Sequence, residues 1–151
     1  MEKKKILWVE DDHYHLKGLT IPLEKDGFEI IVAKCYMDTK RMLEEHKDLN
    51  LIILDLIIPY TLSGDKIEQL KINNSDSVEK ATDLVKNGVK IFNFIRTELK
   101  LEIPIIILTI VQNNNIINKL LDDNNPGVNK KYDKFGTLPQ DLKNIVLELL
   151  P

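Results

Sequence analysis

The sequence predicts an α/β protein, a parallel β-sheet covered by helices on both faces. Three observations carry that reading. Short apolar runs, of which Leu51 to Asp55 and Pro104 to Leu108 are the purest, are too brief for helices and are flanked by polar sequence, as strands buried on both faces are. Segments between them repeat their apolar residues every three or four positions, the period of a helix with one buried face. The two patterns alternate, and parallel neighbours need such crossover connections. With 151 residues and 43% hydrophobic composition, residues 1–151 have the size of one domain, which buries about two-thirds of its unfolded surface.

Taken in order, Lys5 to Val9 is apolar and β-prone and stops at three consecutive acids, Glu10, Asp11 and Asp12. His13 to Lys25 places Leu16, Leu19 and Leu23 on one helical face, and Pro22 is expected to bend that helix by pressing on the carbonyl of Gly18. Gly27 marks a turn, Phe28 to Val32 a second strand, and Met37 to His46 a second helix. Leu51 to Asp55 is the third strand and Pro104 to Leu108, followed by Thr109, the fourth. Asn113 to Asp122 reads as a helix with Ile116, Ile117, Leu120 and Leu121 along one side, and Val128 to Lys131 as a short fifth strand. Thr137 to Gln140 reads as a capping box with Pro139 early in a last helix that presents Leu142, Ile145, Val146 and Leu149.

Lys and Arg total 21 against 24 Asp and Glu, a net charge of −3 that offers no bulk attraction to nucleic acid or anionic membranes. A single cysteine, Cys35, excludes an internal disulfide framework, and no apolar run approaches the roughly 20 residues that span a bilayer. A cytoplasmic location is the default expectation. Partners must then be recognised locally. In parallel α/β sheets ligands bind beyond the carboxyl ends of the strands, which gathers Glu10, Asp11 and Asp12 after the first strand, Asp55 after the third, Thr109 after the fourth and Lys134 after the fifth. An unpaired carboxylate at the end of an oily strand costs several kcal/mol, roughly, so the cluster calls for a cation. An oxygen-only set with room for waters suits Mg²⁺ better than zinc. His13 and His15 lie beside the acids, but at two-residue spacing early in a helix they diverge by about 200° and are poor joint ligands. Cys35 and Trp8 read as packing residues.

The acid pair after the first strand, Leu54-Asp55 with Pro59 four residues on and Asp55 44 residues after Asp11, the Ile103-to-Thr109 strand, and Lys134 seven residues beyond Gly127 together resemble the receiver domain of two-component response regulators. The resemblance covers nearly the whole chain. It implies a flavodoxin-like, doubly wound five-stranded sheet of order 2-1-3-4-5. It implies that Asp55 is the phosphoacceptor, that Asp11 binds Mg²⁺ directly with Asp55 and the Ile57 carbonyl, and that Glu10 acts on the metal through water. Thr109 would hydrogen-bond a phosphoryl oxygen and Lys134 would pair with it. The implied partners are a sensor histidine kinase or phosphotransfer protein and a downstream protein target, without direct nucleic-acid or membrane contact and with a homodimer left open. At most the chain would catalyse its own aspartyl phosphorylation and dephosphorylation.

Three positions depart from the family pattern. Ile110 follows Thr109 where receivers carry a very small residue, and a branched side chain there is expected to crowd the phosphoryl group. Lys134-Phe135 replaces a Lys-Pro pair, and Lys131 stands where an aromatic switch residue usually lies, with Tyr132 one place off. The third departure is an insertion over Tyr60 to Asn87, polar at first and then helical from Ser77, with Val78, Ala81, Leu84, Val85, Ile91, Ile95 and Leu99 in helical register and Gly88 in their midst. The upper half of this helix is expected to contact the Tyr60 to Ile72 segment or a second chain. Two function classes follow: a phosphorylation-driven switch without an output domain of its own, and a non-phosphorylated pseudo-receiver that acts as an interaction module. A hydrolase of the haloacid dehalogenase type is a distant third, because Ile57 stands where its second aspartate would be.

Overall fold

The computed structural model describes residues 2–62 and 77–151, the side chains from residue 83 onward in the second span. Five strands, β1 (Lys5–Val9), β2 (Glu29–Ala33), β3 (Leu49–Leu54), β4 (Ile105–Thr109) and β5 (Asn129–Asp133), form one parallel sheet of order β2-β1-β3-β4-β5. The strand order reverses between β1 and β3, as expected of a doubly wound sheet. Every residue of β4 is buried, which is why its sequence shows no alternation.

Alternation appears instead as a division of apolar residues between two cores. Leu7, Val9, Ile52, Leu54, Ile105 and Ile107 pack on one face with α2 (Tyr36–Glu45), α3 (Ser77–Asn93) and α4 (Asn114–Leu121). Ile6, Trp8, Leu51, Ile53, Ile106 and Leu108 pack on the other with α1 (Ile21–Lys25) and α5 (Pro139–Leu149). Trp8, 2% exposed, is a core residue, and buried Cys35 caps α2 by accepting the Asp38 N–H at 3.4 Å.

The first helix differs most from expectation. Residues 11–16 form turns, Lys17–Leu19 a single 3₁₀ turn, and only Ile21–Lys25 is α-helical. Pro22 does not bend a long helix; it occupies the first turn of a short one, where its missing N–H costs nothing. The helix from Ser77 forms as expected, then widens into a π-helical turn over Phe94–Glu98 that closes with Leu99 N–H donating to the Phe94 carbonyl at 2.9 Å. The expected contacts of Val78 and Ala81 lie outside the described residues. The last helix is capped one residue later than the sequence suggests: Leu138 is its N-cap, the Asp141 carboxylate accepts the Leu138 N–H at 3.3 Å, and Thr137 Oγ1 donates to the Asp133 carbonyl.

Below the sheet, buried Arg96 ties the π turn to the amino ends of β4 and β5. Its guanidinium donates to the Leu101 and Ile103 carbonyls, both at 2.7 Å, to the Asn129 side-chain oxygen at 2.6 Å and to the Val128 carbonyl at 3.3 Å. Burial pulls its pKa down to about 10, still charged at neutral pH. Gly127, at φ +81°, passes so close that a Cβ would lie 2.7 Å from that guanidinium.

Candidate functional site

The strand register lays out the site. Val9 is level with Ala33 and Leu54, Leu54 with Ile107, and Thr109 with Asp133. The ladder continues one residue past the strands: Glu10 N–H donates to the Ala33 carbonyl at 2.9 Å, Asp55 N–H to Val9 at 3.0 Å, and Lys134 N–H to Thr109 at 3.2 Å. Glu10, Asp55 and Lys134 therefore have fixed backbones at the carboxyl edge of the sheet, and their side chains converge.

Lys134 Nζ stands 2.5 Å from Asp55 Oδ2 and 2.7 Å from Glu10 Oε2. The other Asp55 oxygen accepts from Thr109 Oγ1 at 2.9 Å and from the Ile57 N–H at 3.1 Å. Glu10, Asp55 and Thr109 are at most 1% exposed and Lys134 7%. Dehydrating each ion costs several kcal/mol, roughly, so these contacts offset a penalty more than they add stability. Acid outweighs base here. Burial, and then the neighbouring Asp55 charge, push the Glu10 pKa up to about 7 against the pull of Lys134. Burial lowers the Lys134 pKa, but Asp55 and Glu10 together outweigh it and raise the value, so the ammonium keeps its charge.

Glu10, Asp11 and Asp55 each offer a carboxylate oxygen, and these oxygens lie within 4.8 Å of one another. Three hard oxygens around a net negative, largely buried centre fit a small divalent cation such as Mg²⁺. Asp12, by contrast, is exposed; its N–H bonds Glu10 Oε1 at 3.1 Å and its carboxylate meets His15 Nδ1 at 2.5 Å. His13 lies in the same turn, outside the acidic group, and burial, then Lys34, lower its pKa.

Ile110 stands at the rim with 48% of its surface exposed, and Phe135 beside Lys134 is 78% exposed. Tyr132 packs in the α1/α5 layer, whereas Lys131, level with Ile107, holds Asp133 Oδ1 at 2.5 Å. Tyr132 is therefore no substitute for an aromatic at position 131: a one-residue offset along a strand points to the other face of the sheet.

The loop after Asp55 is anchored by groups the sequence does not single out. The Tyr36 and Met37 N–H groups at the start of α2 donate to the Pro59 and Tyr60 carbonyls at 2.9 and 3.1 Å, and the Tyr36 and Tyr60 rings stack with centroids 5.1 Å apart. Asn87 Nδ2 donates to the Ile58 carbonyl at 3.0 Å. One turn of α3 lies so close that a Cβ on Gly88 would be 2.3 Å from Leu56 Cα. Gly88 thus fits helix to loop, although in the sequence it stands out only as a glycine amid the apolar positions of the helix.

The chain matches no protein-family profile and no curated protein. Solved structures do match. The receiver domain of Francisella response regulator 1452 superposes with a TM-score of 0.63 at 15% identity, over 97% of this chain and 93% of that one. A CheY-like response regulator receiver domain protein from Methanospirillum hungatei gives 0.66 at 17%, over 97% and 93%. The BeF3-activated receiver domain of Klebsiella pneumoniae RstA gives 0.67 at 17%, over 97% and 98%. At such identities the likeness is one of fold. The protein has the receiver fold of response regulators, with an insertion after β3. Among the described residues no helix is long and apolar enough to cross a membrane.

Proposed function

We propose that residues 1–151 form one receiver domain that works as a phosphorylation-dependent signalling switch, taking a phosphoryl group onto Asp55 from a phosphohistidine of a sensor histidine kinase or phosphotransfer protein. The observation that carries this reading is the convergence of Lys134 and Thr109 on Asp55 beside Glu10 and Asp11. An Asp55 oxygen attacks phosphorus, the P–N bond to the donor histidine breaks, and the imidazole leaves with the bonding electrons and takes up a proton; the product is an aspartyl phosphate. Charge spreads over the phosphoryl oxygens during transfer, so positioning and positive charge are the main requirements. Lys134 supplies charge by following the phosphoryl oxygens, and Thr109 Oγ1 donates to one of them. Glu10, Asp11, Asp55 and the Ile57 carbonyl would hold Mg²⁺, which supplies further positive charge when bound.

Labelling with acetyl phosphate or phosphoramidate, with and without Mg²⁺, tests the proposal. Incorporation should need Mg²⁺ and disappear in Asp55→Asn with the fold intact; labelling that persists in that variant excludes Asp55 as the nucleophile. One observation favours the alternative, a pseudo-receiver used as an interaction module. Both oxygens of Asp55, 1% exposed, are already engaged by Thr109, Ile57 and Lys134, so its polar partners are in place without a phosphoryl group. Absence of Mg²⁺-dependent labelling on the intact chain would select it.

A further inference from the structure

Away from the sheet edge, α3 and α4 lie side by side on one face and leave a groove of about 520 Å³ between them. Val85 and Val89 of α3 and Ile116 of α4 are half-buried along it. Lys86 and Lys90 of α3 and Lys119 of α4 line it as well, all three exposed. No carboxylate lines it among the described residues, although the chain as a whole is net acidic at −3. Lys86 has one acidic partner among the described residues, Asp83 at 3.4 Å, in a pair exposed on both sides and therefore weak. Among the described residues Lys90 and Lys119 make no ion pair. Asn125 closes the lower end, donating to the Lys119 and Leu120 carbonyls at 2.8 and 3.2 Å, so these two carbonyls near the end of α4 are already satisfied.

We propose that this groove docks a short amphipathic helix of a partner protein, one with an apolar stripe flanked by Asp or Glu. The apolar pair Val85/Val89 and the cationic pair Lys86/Lys90 each repeat at four residues, about 6 Å along α3. An incoming helix repeats its own side chains at that spacing, so its apolar anchors can follow the valines while its acids follow the lysines. Concavity favours this occupant over a membrane, which needs protruding apolar groups, and the absence of aromatics among the described lining residues argues against single-stranded nucleic acid. None of these residues belongs to the Asp55 site, so the inference does not depend on phosphorylation.

The test is a heteronuclear NMR titration of the isotope-labelled full chain with a stapled amphipathic peptide of about 15 residues, leucines on one face and glutamates flanking them. Saturable shifts should centre on Val85, Val89, Ile116 and Leu120. Lys90→Glu combined with Lys119→Glu should weaken binding at least about tenfold while leaving the thermal midpoint of the free protein unchanged. Three controls decide the occupant: the same peptide with lysine for glutamate, anionic phosphatidylglycerol vesicles, and a single-stranded oligonucleotide. No saturable shift up to about 1 mM peptide, shifts centred elsewhere, equal binding of the lysine peptide, or preferential binding of vesicles or oligonucleotide would each overturn the proposal.

Discussion

Replacing Gly88 with alanine sets two effects of opposite sign against each other, and the structure decides between them. In an isolated helix the change is favourable by about 1 kcal/mol, because glycine is the poorer helix former. Here the added methyl would lie 2.3 Å from both Cα and the carbonyl oxygen of Leu56, well inside ordinary contact at 3.4–4 Å. Relief needs about 1 Å of movement, and the obstacle is backbone rather than a flexible side-chain tip. Overpacking of that kind costs about 1–3 kcal/mol, and the loop has little slack, being held by α2 and by Asn87. Set against the gain of about 1 kcal/mol, the expected net loss is up to about 2 kcal/mol, or as much as roughly 8 °C in thermal midpoint for a domain of this size. Urea unfolding measures the first quantity, and the amide shift of Ile57, whose N–H binds Asp55, reports whether the loop has moved. A variant more stable than the parent by about 1 kcal/mol, with Ile57 undisturbed, would refute the close approach of α3 to the loop.

The raised Glu10 pKa makes stability depend on pH. The folded state holds a proton up to about 7 that the unfolded state releases near the ordinary carboxylate value of 4.5, so stability should fall as pH rises across that window, by about 3 kcal/mol in all. Glu10→Gln should flatten the slope in urea titrations, and an unchanged slope would assign it to another group. Lys134→Met leaves the Glu10 and Asp55 carboxylates without their cation and should cost about 3–5 kcal/mol, more at pH 8 than at pH 6, where Glu10 can protonate; equal losses at both would contradict the coupling. Arg96→Lys keeps the charge but not the fork that reaches the carbonyls and Asn129, and should cost about 2–3 kcal/mol by thermal denaturation. Ile110→Ala should speed acetyl phosphate labelling a few-fold if the rim side chain slows donor approach, and unchanged kinetics would show that it stands clear.

The sheet was legible because a strand buried on both faces has nothing to alternate with: Leu51 to Leu54 and Ile105 to Leu108 declare themselves as unbroken runs. Glu10 and Asp55 were legible for a related reason, since each is a charge placed where an apolar stretch ends, whereas Lys134 follows the polar β5 and was placed by its position past the fifth strand and by the resemblance. The first helix was not. Leu16, Leu19 and Leu23 keep helical spacing, yet Leu19 and Leu23 reach the core from two short helical pieces, a geometry that periodicity cannot distinguish from one continuous helix. Arg96 and Gly88 escaped because their roles depend on what crosses them: three carbonyls and one side-chain amide in one case, the Leu56 backbone in the other. Such encounters join residues far apart in the chain and leave little trace in local spacing.

Lys134 follows directly on β5, and that placement has a thermodynamic consequence. β5 is an edge strand with only half-buried or exposed residues, Asn-Lys-Lys-Tyr-Asp, against a neighbour that is buried throughout. Edge strands with little apolar burial open at a lower free energy than the centre of a sheet, and opening here would carry the ammonium away from Glu10 and Asp55. The fraying equilibrium of the edge and the charge state of the centre are therefore linked variables. Linkage is reciprocal: whatever strengthens the hold on Lys134 must tighten β5 by the same free energy, and whatever releases it must loosen the strand. Amide exchange along Asn129–Asp133 would then follow the occupancy of the Glu10 and Asp55 carboxylates, though neither lies in that strand.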